Sequence, residues 1–247
     1  MPEGARRPTR THVYGHRGSR RPGPENTSAA VRAALMAGAD GVEIDVRRDR
    51  AGVLVVSHDP VVGRPEPLER VLDTVLDLAG RGAGPERDTP ARVVLEVKNR
   101  PGDPDYDAPV AATARALVAL LAARHGSDDV VVSSFDISSL LLVRALGGPP
   151  TALLTGLGAS VRAGIGTAVA QGHAELHPHW ASLTARRVAR AHAAGLRLVA
   201  WTVPSVPRAR RLAGWGVDAL ICDDPATVVA ALAGELSGGV GLADDDP

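Results

Sequence analysis

Two short runs carry residues suited to chemistry. In "VEIDV" (42–46) Glu43 and Asp45 stand two apart in an aliphatic run, and in "LEVK" (95–98) Glu96 and Lys98 repeat that spacing. An extended chain turns alternate side chains to opposite faces, so each pair shares a face while the aliphatic residues fill the other. Adjacent anions on one face repel unless that face is wet or holds a cation. Glu43, Asp45 and Glu96 on neighbouring strands would offer hard oxygen ligands without cysteine. That donor set selects Ca²⁺, Mg²⁺ or Mn²⁺ over zinc and leaves positions for substrate oxygens. The alternative is a salt-bridged polar layer, with Arg47, Arg48 or Lys98 as the partner.

His16 and His58, each followed by a charged residue, are two imidazoles able to divide general-base and general-acid work. Arg17 and Lys98 add positive charge. With one divalent cation they describe a pocket for a phosphoryl group, whose charge must be neutralised in the transition state. Lys98 is also the only lysine in the chain. Either this position needs a compact point charge and not a planar fork, or one lysine survived a bias toward arginine by chance.

Positioning these residues takes strands that end at one rim. Short apolar runs alternate with Ala-rich segments of helical period, punctuated by Gly and Pro. The runs are 12–15, 41–46, 92–97, 130–134, 151–155, 174–177, 197–201 and 218–222, with an extra extended piece at 53–58. Helices are expected near 26–38, 67–80, 108–125, 136–147, 159–171, 184–194, 205–214 and 225–234. Eight βα units in succession predict an α/β protein, a parallel eight-stranded TIM (β/α)8 barrel, in which chemistry lies at the C-terminal ends of the strands. His16, Glu43, Asp45, His58, Glu96, Lys98, Ser133, His177, Trp201 and Asp223 all fall at or near such ends. Trp201 could wall the alcohol part of a substrate or pack in the core. In "HPHW" (177–180) His177 is expected at the rim and His179 away from it, while His12, His125, His173 and His192 are expected to be solvated.

Composition narrows the function classes. Hydrophobic residues make up 45% of the chain but aromatic ones only 2%, so the core is built from Ala, Val and Leu. Basic and acidic residues number 28 each, which gives no field favouring nucleic acid or an anionic membrane. No run of about 18 apolar residues marks a membrane span, and the first eleven residues lack the apolar segment of a secretory signal. The single cysteine, Cys222, cannot form an internal disulfide, which suits a reducing compartment. A cytoplasmic protein without a stable membrane anchor is expected. A basic tail (1–10), one barrel domain (11–236) and an acidic tail (237–247) complete the organisation; a homo-oligomer is not indicated.

The segment "HRGSRRPGPENTSAAVRAALMAGADGVEIDVRRD", followed by "VVSHD", "LEVK", "AWTV" and "GVDALICDDP", resembles the glycerophosphodiester phosphodiesterase (GDPD) family through nearly the whole chain. The resemblance implies a TIM barrel that hydrolyses glycerophosphodiesters to an alcohol and glycerol 3-phosphate with a divalent cation, commonly Ca²⁺ or Mg²⁺. It carries over Glu43, Asp45 and Glu96 as metal ligands, His16 and His58 as the acid/base pair, and Arg17 and Lys98 as phosphate contacts. In "PENT", Glu25 and Asn26 match the motif; Glu25 is expected to brace the loop carrying His16 and Asn26 to cap the first helix.

One departure matters. Many members of the family carry a substantial insertion after "HD" that covers the site, whereas "SHDPVVGRPEPLERVLDTV" passes almost directly into the next helix. An open mouth would admit a bulkier phosphodiester such as a lysophospholipid, or be walled by a second copy. The rival readings are therefore lysophospholipase D-type activity and a non-catalytic barrel that binds a phosphorylated ligand. A phosphate-binding isomerase is disfavoured, because "WTVPSVPR" and "CDDPAT" offer no glycine-rich loop.

Overall fold

The computed structural model describes residues 10–20, 23–80, 90–107, 110–124 and 129–236. Among these, β1 (His12–His16), β2 (Gly41–Arg48), β4 (Arg92–Val97), β5 (Val130–Ser134), β6 (Thr151–Thr155), β7 (Glu175–Pro178), β8 (Arg197–Val203) and β9 (Ala219–Cys222) are the barrel strands. Each pairs in parallel with its neighbours, and the pairing of β1 with both β9 and β2 closes the ring. The extra piece is β3 (Leu54–Val56), antiparallel to the upper end of β2. It is a hairpin return outside the ring, and pairing with it extends β2 to Arg48, beyond the expected end at Val46. The expected tails lie outside the described residues, except that Arg10 is described.

Helices α1 (Ser28–Met36), α2 (Leu68–Gly80), α3 (Ala112–Ala122), α4 (Ile137–Ala145), α5 (Val161–Ala170), α6 (Ala185–Ala193), α7 (Val206–Gly214) and α8 (Pro225–Leu236) surround the barrel. Several start at side-chain caps: Thr27, Asp136, Ser160 and Thr184 each accept a first-turn backbone N–H. A short 3₁₀ turn, Trp180–Ser182, follows β7.

Strand alternation divides the buried residues into two sets. One set, including Val42, Ile44, Val46, Leu95, Leu198 and Leu220, packs between sheet and helices. The other, Tyr14, Val94, Val199, Ala219 and Ile221 with Trp201 against it, fills the ring interior. An ionic cluster sits among the interior-facing residues: fully buried Glu175 accepts from Arg92 (2.5 Å) and His177 (2.8 Å) and pairs with Arg197 (3.3 Å). Despite burial, these partners hold the Glu175 carboxyl down at about 2. The interior is thus packed and charged, not a pore, and the free end of each strand is where side chains can meet a ligand.

Candidate active site

Register brings the two carboxylate runs together. On β2 and β4, Asp45 lies opposite Glu96 and Glu43 opposite Val94, so the interior-facing side chains of both strands share one wall. Glu43, Asp45 and Glu96 each offer an oxygen within 4.8 Å of the other two. All three are buried, at 4%, 0% and 9% exposure. Lys98 lies between two of them, its Nζ 2.7 Å from Asp45 Oδ1 and 2.7 Å from Glu96 Oε1. Arg17 approaches from β1 with Nε 3.0 Å from Asp45 Oδ2, and also pairs with Glu25.

The two cations do not serve the carboxylates equally. Burial raises the Asp45 pKa, but Lys98 and Arg17 outweigh it and hold the carboxyl below its ordinary range. Glu43 is pushed well above its ordinary value by burial and by the adjacent Asp45 and Glu96. Burial also raises Glu96, with Lys98 acting against it. Among the described residues, one oxygen of Glu43, Oε1, is buried without a hydrogen-bond partner, while Oε2 accepts the Arg17 backbone N–H at 3.1 Å. A salt-bridged polar layer would pair this carboxylate. An orphaned buried oxygen beside two more carboxylates instead fits a divalent cation, and the all-oxygen donor set fits a hard one. Arg47 and Arg48, considered as partners of this group from sequence, turn to Asp103, Asp105 and Asp107.

The loop after β1 is shaped by backbone contacts. A Cβ on Gly15 would sit 2.1 Å from the Gly18 carbonyl oxygen, and one on Gly18, at φ +84°, would sit 2.5 Å from the Ala30 backbone. Both positions therefore need glycine for the loop to press against α1. Arg17 and Asn26 take left-handed conformations, at φ 54° each, and Asn26 donates its backbone N–H to the Arg17 carbonyl (2.9 Å). Asn26 is not the helix cap expected from sequence; Thr27 caps α1. The Asn26 side chain instead donates to Asp45 Oδ2 (2.8 Å) and accepts the Asp45 N–H (3.1 Å). Its amide thereby fixes the carboxylate orientation. Glu25 braces the loop as expected, pairing with Arg17 and with Arg20 (2.8 Å).

His16 extends toward Glu43, with Nε2 3.9 Å from Oε2, while its Nδ1 is 2.6 Å from Asp223 Oδ1 on the loop after β9. A carboxylate on Nδ1 fixes the tautomer, leaving Nε2 as the basic nitrogen. The hydrogen bond from His16 is the main reason Asp223 lies below its ordinary pKa. From sequence Asp223 shows only its position, an acid directly after an apolar strand, which names a place but no partner. His58 follows β3 and is half-buried, its Nδ1 2.9 Å from the exposed Asp59. Burial, and then the Lys98 charge, lower its pKa from the ordinary imidazole value.

Trp201 stands on β8 with its indole N–H donated to the His177 carbonyl (2.8 Å). Phe135 meets it edge-on at 5.5 Å from the loop after β5, and His179 does so at 5.5 Å from the loop after β7. The two histidines of "HPHW" exchange their expected places: His177 is sealed against Glu175, and His179 lies beside Trp201. Of the histidines expected to be solvated, His173 is buried against Thr151 and Gln171, and His192 is bonded to Asp218. His12 is partly buried near Asp40, and His125 lies outside the described residues. Cys222 is buried, with its thiol pushed up to about 12 by burial, and is inert at neutral pH.

Comparisons with known proteins concern the chain as a whole. A sequence profile of the glycerophosphoryl diester phosphodiesterase family matches residues 16–80 and 91–227. A glycerophosphodiester phosphodiesterase of Caldanaerobacter subterraneus subsp. tengcongensis is 28% identical over 244 residues, covering 89% of this chain and 97% of the relative. Two solved structures share the fold. An Oleispira antarctica phosphodiesterase in complex with the product sn-glycerol-3-phosphate aligns with a TM-score of 0.76 at 22% identity, over 91% of this chain and 97% of that one. A glycerophosphodiester phosphodiesterase of Parabacteroides distasonis aligns with a TM-score of 0.76 at 21% identity, over 93% and 99%. With the family profile spanning most of the barrel, this chain is an enzyme of the glycerophosphoryl diester phosphodiesterase family.

Proposed function

We propose that the enzyme hydrolyses glycerophosphodiesters to an alcohol and glycerol 3-phosphate, with one divalent cation held by Glu43, Asp45 and Glu96. The observation that carries this is the buried, unpartnered Glu43 oxygen in a three-carboxylate group beside two histidines. Hard oxygen donors favour Ca²⁺ or Mg²⁺, with Mn²⁺ a third candidate. When bound, the cation supplies charge neutralisation to the phosphoryl oxygens.

The chain's own residues do the rest. One imidazole of His16 and His58 takes the proton of the nucleophile that attacks phosphorus, either water directly or a glycerol hydroxyl of the substrate, whose cyclic phosphate product a water then opens to glycerol 3-phosphate. The other gives a proton to the alcohol oxygen as its bond to phosphorus breaks. Asp223, bonded to Nδ1, keeps His16 in one tautomer and one orientation. Lys98 and Arg17 keep Asp45 ionised and place positive charge beside the phosphoryl group. Trp201, with Phe135 and His179, walls the alcohol side. A small-molecule phosphodiester is thus the partner, and a cytoplasmic location is in keeping with a buried, unpaired Cys222. Among the described residues no helix is long and apolar enough to cross a membrane.

A lysophospholipase D-type activity is the second reading, favoured by one observation: residues 57–67 run from β3 to α2 without a helix or strand of their own. The test is release of glycerol 3-phosphate from glycerophosphocholine beside choline release from lysophosphatidylcholine, in wild type and His58→Ala. Turnover lost in His58→Ala with metal affinity retained supports the acid/base role; near-normal turnover sinks it. Metal binding without turnover of either substrate would favour the non-catalytic ligand-binding barrel.

A further inference from the structure

Arg47 follows Asp45 by two positions on β2, so its side chain leaves the same face, one step nearer the strand's free end. The side chain is only 2% exposed. Burying a guanidinium is costly, and apolar residues of similar size are often as stable in such places, so the charge itself is weak evidence of a stabilising role. What a buried arginine adds is a planar fork that fixes several acceptors in one geometry.

The acceptors lie on two different loops. Arg47 Nε donates to the backbone carbonyl of His58 (3.1 Å). One terminal nitrogen donates to both carboxylate oxygens of Asp105 (2.6 and 2.8 Å), and the other to Asp103 (2.6 Å). Asp103 and Asp105 belong to the loop after β4, directly beyond Lys98. That loop is itself tied down where Asn99 bonds Asp136 (2.7 Å) and accepts the Asp107 N–H (3.0 Å). The His58 segment has a second anchor, the Ser57 N–H donated to the Asp45 carbonyl (3.1 Å). The imidazole itself is held through Nδ1 by Asp59, whose side chain is 87% exposed. The buried restraints on residue 58 therefore act on its backbone, from β2 on both sides of the peptide.

We infer that Arg47 is a positioning residue for His58, clamping its backbone carbonyl between β2 and the Asp103–Asp105 loop so that the imidazole keeps its place beside the carboxylate group. The inference rests on the acid/base role proposed for His58. It also accounts for how a 57–67 connection with no secondary structure of its own can present a catalytic group reproducibly. A misplacement of roughly 1 Å can cost on the order of a hundredfold in rate.

The test is a mutant cycle on the full chain at saturating metal: Arg47→Met, Arg47→Lys, His58→Ala and the double variant His58→Ala with Arg47→Met. Residual rates are read as glycerol 3-phosphate accumulated over long incubations at high enzyme concentration. Arg47→Met should lower kcat by about 10- to 100-fold, with KM and half-saturating metal changed less than about twofold, and Arg47→Lys should recover part of the loss. In the His58→Ala background the same Met substitution should change the residual rate by less than about twofold, because a residue that acts through His58 has nothing left to position. A full additional loss in that background, or a change carried by KM or metal affinity, overturns the inference. If His58→Ala alone turns over normally, the reading of His58 fails first. Should Arg47→Met not fold, Asp103→Asn with Asp105→Asn, at carboxylates 23% and 30% exposed, enters the same cycle with the same expectations.

Discussion

Replacing Glu43 with Gln separates the two explanations of the buried carboxylates. Glu43 is 4% exposed, has an oxygen unpartnered among the described residues, and faces Asp45 and Glu96, while Lys98 is engaged with those two neighbours. Gln keeps the size and an acceptor for the Arg17 N–H but removes an uncompensated anion. Neutralising such a site is commonly neutral or stabilising, here by about 1–3 kcal/mol. For a chain of this length each kcal/mol is worth roughly 2–4 °C, so Glu43→Gln should melt about 2–12 °C above wild type in chelator at pH 7–8. The direction with pH follows from the raised pKa. A carboxyl whose folded-state pKa lies above its unfolded value of 4.5 contributes stability that is complete below that value and lost as pH climbs through the folded one. The advantage of Glu43→Gln should therefore shrink toward pH 5 and grow toward pH 8. With saturating Ca²⁺ or Mg²⁺ the order reverses, because only wild type gains binding energy from the metal. Thermal unfolding with and without chelator at three pH values reads all of this. A variant that melts below wild type in chelator at pH 8 would make Glu43 a paired member of a polar layer and refute the reasoning.

Three further expectations test the surrounding groups. Lys98→Arg must fit a wider group into a 2.7 Å bridge at a side chain 4% exposed; overpacking of about 1–3 kcal/mol and at least a roughly tenfold loss of kcat are expected, and unchanged kinetics would make the lone lysine a chance survivor. Asp223→Asn weakens a charge-assisted bond to His16, but the side chain is 45% exposed, so the loss is set at the lower end, about 5- to 30-fold in kcat with KM steady; a KM effect without a kcat effect would instead place Asp223 on the substrate. Glu175→Gln concerns stability alone. A carboxyl lowered from 4.5 to about 2 contributes about 3 kcal/mol above pH 4.5, lost as pH falls through 2, so urea unfolding should show the deficit at pH 7 and little of it near pH 2.

Much of the fold is legible because periodicity and punctuation agree: β4, β5 and β6 fall on their expected residues, and the period-2 spacing of Glu43 with Asp45 and of Glu96 with Lys98 places them on one wall. What escapes the sequence is tertiary. Asn26 precedes a helix and has a cap's chemistry, yet a left-handed backbone turns its amide onto Asp45 while Thr27 takes the cap. His177 and His179 share one motif and, two apart, one face; depth separates them, since His177 lies inside β7 and is sealed against Glu175 while His179 lies past the strand's end beside Trp201. The antiparallel sense of β3 is set by its pairing with β2, which a six-residue apolar run does not specify. The partners of His16 and Arg47 are 207 and up to 58 residues away in sequence, so no local spacing could reveal them.

The most direct test of the central claim is a Mn²⁺ titration of metal-stripped enzyme, following bound metal by electron paramagnetic resonance and glycerol 3-phosphate release on the same samples. One equivalent bound with the same half-saturation as the rise in turnover, and lost in both Glu43→Ala and Glu96→Ala, is the predicted result. Full turnover in chelator, or unaltered Mn²⁺ binding in the two variants, would contradict it.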